Sequence, residues 1–82
     1  MSDTEAIVKQ WILDEILPGE DPNELQPTTP LKSSGVLDSL ATLRLVEFLE
    51  TSFDIRLEPR DLDGDSLETL ASIGALVVAK RA

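Results

Sequence analysis

Three runs of apolar residues at helical spacing, each ended or preceded by proline or glycine, constrain this chain to a small helical bundle. In the first run Ile7, Val8, Trp11, Ile12, Leu13, Ile16 and Leu17 form a wide stripe, and Pro18-Gly19 ends it. A helix is predicted over residues 4–17, with Ser2 and Glu5 at capping-box spacing. Trp11 lies on the stripe and reads as core, not as a binding platform. In the second run Leu45, Leu49 and Phe53 fall at i, i+4 and i+8, flanked by Val46 and Phe48, which predicts a helix over residues 39–52. The third run, Leu70, Ile73, Leu76 and Val77, predicts a helix that starts between residues 66 and 69 and ends near 80. Lys80 and Arg81 suit its C-terminus, and Gly74 inside it marks close packing with a neighbouring helix. Pro59 opens a short helical turn over residues 59–62. The expected architecture is all-α: three main helices, one short helical turn and a long first loop, in a single domain over residues 1–82.

The long loop, residues 18–38, is too long to be an idle link in so small a domain. Leu25, Leu31, Val36 and Leu37 are spaced through it like pegs, so an ordered loop pinned to the core is expected.

Composition narrows the function. Apolar residues make up 41% of the 82, enough for one modest core and too little for a deep, enclosed active site. Sixteen acids against seven bases give a net charge of −9, which repels nucleic acid and suits partners with basic docking patches. With no cysteine there is no disulfide and no thiolate zinc site; with no histidine the usual general base at neutral pH is missing. No apolar run is long enough to span a membrane and no basic-then-apolar leader opens the chain, so a cytoplasmic location is expected.

Asp-Ser-Leu occurs twice, at Ser39 and at Ser66. Gly64-Asp65-Ser66-Leu67 spells the signature of one class of serine esterases, but a serine nucleophile needs a base and this chain holds no histidine. Asp65 and Ser66 read better as turn and helix-start residues. Asp61, Asp63 and Asp65 alternate like the start of a calcium loop, yet its sixth and twelfth positions, which require Gly and Glu, hold Ser66 and Ser72. Ser39 opens an amphipathic helix. It is either a plain helix-start serine or a hydroxyl whose phosphodiester would be held by the free N–H groups and dipole of the helix N-terminus. Position alone does not choose. Leu40 and Leu43, off the apolar stripe, are either extra core against the long loop or an exposed apolar contact beside Ser39.

Residues 29–78 resemble the acyl, peptidyl and aminoacyl carrier proteins that bear 4′-phosphopantetheine. The resemblance rests on Asp38-Ser39-Leu40, on the helix ending "FLETSFDI", and on "LEPRD" before "LETLASI", in that order and spacing. It implies an acyl-carrier-like bundle that is not an enzyme. Ser39 would be the attachment site, modified from coenzyme A by a phosphopantetheinyl transferase, with Asp38 and Leu40 beside it. Leu40, Leu43, Val46, Glu47 and Glu50 would form the docking face for partners. These would be an activating ligase or adenylation enzyme and downstream acyl-processing enzymes. The arm would supply the thiol that this chain lacks, and cargo would ride as a thioester in a pocket between the second and third helical elements. Gly35-Val36-Leu37-Asp38-Ser39-Leu40 places Leu before the Asp where the fatty-acid type has Ala. Arg44 falls where that type has an acid, and Glu47 where it has an apolar residue. These departures point to a stand-alone aminoacyl or peptidyl carrier of a dedicated, specialised pathway, and a monomer is expected. The alternatives are a fatty-acyl or polyketide carrier, or an acidic helical module that binds a basic partner unmodified.

Overall fold

The computed structural model describes residues 3–19, 21–62 and 65–81. Ser2, Asp63 and Gly64, on which the first capping box and the calcium-loop and esterase motifs partly rest, lie outside the described residues. Among the described residues four α-helices follow in order: α1 (Asp3–Glu15), α2 (Ser39–Phe53), α3 (Pro59–Leu62) and α4 (Leu70–Arg81). A 3₁₀ turn, Pro22–Glu24, interrupts the first loop. No strand occurs among the described residues. The bundle is all-α, as the apolar spacing predicts.

Val8 and Ile12 of α1, Leu45 and Leu49 of α2, and Leu70, Ile73 and Val77 of α4 are buried in one core. Leu25, Leu31 and Leu37 of the long loop complete it, so the loop is pinned as its leucine spacing predicts. Three further core residues, Ala41, Ile55 and Leu67, lie outside the predicted stripes. Trp11 is half-buried and stacks on Phe48 at 5.0 Å, and Phe48 meets Phe53 edge-on at 6.4 Å. The chain's entire aromatic set, one Trp and two Phe, therefore forms one cluster at the α1–α2 seam.

Several element ends differ from expectation. Helix α1 stops at Glu15, two residues early. Ile16 and Leu17 still donate to the Ile12 carbonyl at 2.9 and 2.8 Å, so the chain tightens into a turn before Pro18. Ile7, expected in the core stripe, is 45% exposed, because the helix turns only Val8 and Ile12 fully inward. Helix α2 runs one residue further, to Phe53. Asp54 then takes a left-handed conformation (φ 53°) and donates to the Glu50 carbonyl.

Helix α4 begins at Leu70, later than expected. Thr69 and Ser72 cap it reciprocally: Thr69 Oγ1 accepts the Ser72 N–H and Ser72 Oγ accepts the Thr69 N–H, both at 3.0 Å. Ser66 therefore lies in a turn ahead of the helix, closed by the Glu68 N–H on the Asp65 carbonyl at 3.1 Å. Helix α4 packs on α1, and Gly74 is the reason they approach so closely. A Cβ at Gly74 would stand 2.9 Å from Glu5 Cγ.

Candidate functional site

The junction of the long loop with α2 carries the first Asp-Ser-Leu. Asp38 is the N-cap: its backbone is extended (φ −77°, ψ −175°) and Oδ1 accepts the Ala41 N–H at 2.8 Å. Its carbonyl accepts the Thr42 N–H, also at 2.8 Å. Ser39 is thereby the first helical residue and is released from capping. Its side chain is exposed and its hydroxyl bonds to none of the described residues. The N–H groups of Ser39 and Leu40, at the first two helical positions, have no intrahelical acceptor. Together these features offer an accessible hydroxyl beside open donors and the positive end of a fifteen-residue helix.

The structure sorts the residues of the expected docking face. Leu40 and Leu43 are 68% and 62% exposed, which decides between the two readings of this pair: they are surface, not core. Glu47, one turn beyond Leu43, is exposed with them. Val46 is half-buried and packs against the core. Glu50 is half-buried and its Oε2 accepts the Leu57 N–H at 2.9 Å, so it also anchors the chain after α2. Arg44 reaches across to Glu15 at 3.2 Å, joining α2 to the end of α1. Both side chains are about half exposed, and such a pair contributes at most about 1 kcal/mol.

A cavity of about 340 Å³ opens beside this junction. Ile16 and Leu17 from the turn that follows α1, Val36 from the loop and Leu40 from α2 form its apolar wall, and Asp38 lines it too. It lies on the α1 side of α2, away from the seam between the second and third helical elements where the sequence reading places cargo.

Ser66 has a different setting. It is half-buried in the turn before α4. Nearby Asp61 is committed to structure: Oδ2 binds Lys80 Nζ at 2.8 Å and accepts the Glu58 N–H at 2.8 Å. The bond from Lys80, with that of the Glu58 N–H next, holds its carboxyl below the usual range. No cluster of possible metal ligands occurs among the described residues.

Two residues that the sequence reading passed over bear on the junction. Glu15 holds Arg44, and Glu68 holds the loop that leads into α2. Neither belongs to a motif, and each meets its partner only through the fold.

Comparison with known proteins agrees with this geometry. The family model described as a phosphopantetheine attachment site matches residues 12–77. The D-alanyl carrier protein of Lactococcus lactis subsp. lactis (strain IL1403) is 33% identical over 76 residues, covering 90% of this chain and 96% of that protein. Its counterpart in Lactococcus lactis subsp. cremoris (strain MG1363) is 33% identical over 75 residues, covering 89% and 95%. Among solved structures, the apo form of KstB-PCP, a peptidyl carrier protein, superposes with a TM-score of 0.67 at 28% identity, covering 90% of this chain and 81% of that one. Carriers of this kind meet a phosphopantetheinyl transferase that installs the arm and enzymes that load and unload it. With the family model spanning most of the bundle, this chain belongs to the phosphopantetheine-bearing carrier proteins: it is not an enzyme, and it holds its cargo on covalently attached 4′-phosphopantetheine.

Proposed function

We propose that Ser39 is the attachment site and that the protein is a free-standing, monomeric, cytoplasmic carrier for an amino-acid unit. The observation that carries the site is the division of labour at the start of α2. Asp38 takes the cap, and the Ser39 side chain is left exposed, its hydroxyl bonded to none of the described residues. The residues present fit a phosphodiester there. The N–H groups of Ser39 and Leu40 face no intrahelical acceptor and the helix dipole favours an anion. The arm supplies the thiol for the thioester that a cysteine-free chain cannot make. Asp38 fixes the backbone direction of Ser39, and Leu40 and Leu43 present apolar surface next to it.

The relatives support an aminoacyl subclass. Proteins of matching length that share a third of the sequence are D-alanyl carriers, and the superposing structure is KstB-PCP. An activating ligase or adenylation enzyme would load the unit, and downstream acyl-processing enzymes of a specialised pathway would receive it. Leu40, Leu43 and Glu47 are the exposed docking residues for these partners; Val46 and Glu50 support that face from its half-buried side.

Intact mass spectrometry tests the site. Apo protein is incubated with coenzyme A, magnesium and a broad-specificity phosphopantetheinyl transferase, with Ser39→Ala and Ser66→Ala in parallel. The expected result is a gain of one phosphopantetheine in wild type and Ser66→Ala and none in Ser39→Ala. A gain that depends on Ser66 overturns the assignment. No gain with several transferases makes the unmodified interaction module the better reading.

A further inference from the structure

The loop that delivers Ser39 is held by a residue from the other end of the chain. Glu68 Oε1 accepts the backbone N–H groups of both Lys32 and Ser33, each at 3.1 Å. Its Oε2 accepts the Ser33 hydroxyl at 2.8 Å, and its carbonyl accepts the Leu31 N–H at 2.6 Å. Lys32 Nζ donates to the Leu62 carbonyl at 3.3 Å, which ties the end of α3 into the same knot. Glu68 cannot drift, because Leu67 and Leu70 on either side of it are fully buried. On the loop side, the Leu37 N–H closes back on the Leu31 carbonyl at 2.9 Å. Gly35 makes the reversal possible at φ 87°. Buried Leu37 is followed directly by Asp38 and Ser39.

One carboxylate thus gathers two consecutive backbone donors and a hydroxyl on the polar stretch of residues 32–34, between the buried anchors Leu31 and Leu37, and adds to the turn that Ser34 Oγ makes on the Pro30 carbonyl at 2.6 Å. We infer that Glu68 is a positioning residue for the modification of Ser39: it clamps residues 31–37 so that the Asp38-Ser39 step is presented in one pose. It acts through the loop and does not touch Ser39. The inference rests on Ser39 being the attachment site. Without the clamp the closed loop is one state among several, and a transferase that binds only this pose meets a smaller competent fraction. Its apparent affinity falls by that fraction while the chemical step on bound protein is unchanged.

Steady-state kinetics of phosphopantetheine transfer to purified apo protein test this. Wild type, Glu68→Ala, Glu68→Gln and Ser33→Ala are compared at a temperature where circular dichroism shows each fully folded. The expected result is KM raised about tenfold in Glu68→Ala with kcat within about twofold of wild type, as a smaller competent fraction requires. Glu68→Gln, which keeps one acceptor for the two N–H groups, recovers most of the loss, and Ser33→Ala loses about twofold. KM unchanged in folded Glu68→Ala overturns the inference and leaves the Ser39 assignment standing. So does a loss of activity that only tracks the unfolded fraction. Wild type modified at Ser66, or not modified, overturns both. If Glu68→Ala does not fold, Glu68→Gln and Ser33→Ala decide: no rise in KM for either removes the positioning role.

Discussion

Asp38 and Ser39 are neighbours with opposite duties. The aspartate side chain stabilises the helix start and the serine side chain stabilises nothing within the described protein. Asp38→Ala is therefore expected to cost about 1 kcal/mol in denaturant unfolding, whereas Asp38→Asn, which can still cap, costs much less. Ser39→Ala is expected to leave stability within about 0.5 kcal/mol while abolishing arm attachment, a separation that unfolding curves and mass spectrometry read independently. That Ser39 opens a helix was legible from "LDSL" before an apolar run. That Asp38 holds the cap was not, because either side chain could accept from the first turn, and only backbone geometry assigns it.

At the scale of elements, α2 has a face for the core and a face for partners. Leu40→Ala and Leu43→Ala are expected to change stability by no more than about 0.5 kcal/mol, since both are surface residues. The same changes are expected to weaken loading by a partner enzyme, measured as a rise in KM for the carrier. Helix α4 meets α1 at Gly74. Gly74→Ala sets a propensity gain of up to about 1 kcal/mol against displacement of Glu5, so its net effect is small. Gly74→Val, with two more carbons facing α1, is expected to destabilise by about 1–3 kcal/mol in thermal or urea unfolding. Leu31→Ala tests the loop as a core element. Its side chain is wholly buried, and a loss of about 2–5 kcal/mol is expected, far above what a flexible tether would show. The pegs of the loop were legible as isolated leucines among polar residues. The start of α4 was not, because Ser66, Glu68 and Thr69 all have cap or first-turn chemistry and the Thr69–Ser72 exchange wins locally.

For the molecule as a whole, acid is the expected weakness. Asp61, bonded to Lys80 and the Glu58 N–H, sits below its ordinary value of 3.8. Glu68, bonded first of all to the Ser33 N–H and hydroxyl, sits below its ordinary value of 4.5. A carboxyl whose folded pKa is depressed stabilises the fold above its unfolded pKa, and that stability is lost as pH falls through the folded value. Stability should therefore be level near neutral pH and fall below about pH 4.5, with the Lys32–Ser33 loop released in the same window as Glu68 protonates. Urea unfolding across pH 3–7 should show a shallower acid limb in both Asp61→Asn and Glu68→Gln than in wild type. With a net charge of −9, added salt should raise stability near neutral pH by screening self-repulsion.

Apolar periodicity and its proline and glycine stops determined the helical class, the approximate helix spans and the pinned loop, since these depend on residues close in sequence. The order of motifs around Ser39 likewise carried the likeness to phosphopantetheine carriers. Only the tertiary structure decided that Leu40 and Leu43 face outward, that Arg44 pairs with Glu15, and that Glu68 grips a loop thirty-five residues upstream. Each of these depends on which surfaces the bundle brings together, and no local pattern encodes a contact made across that distance.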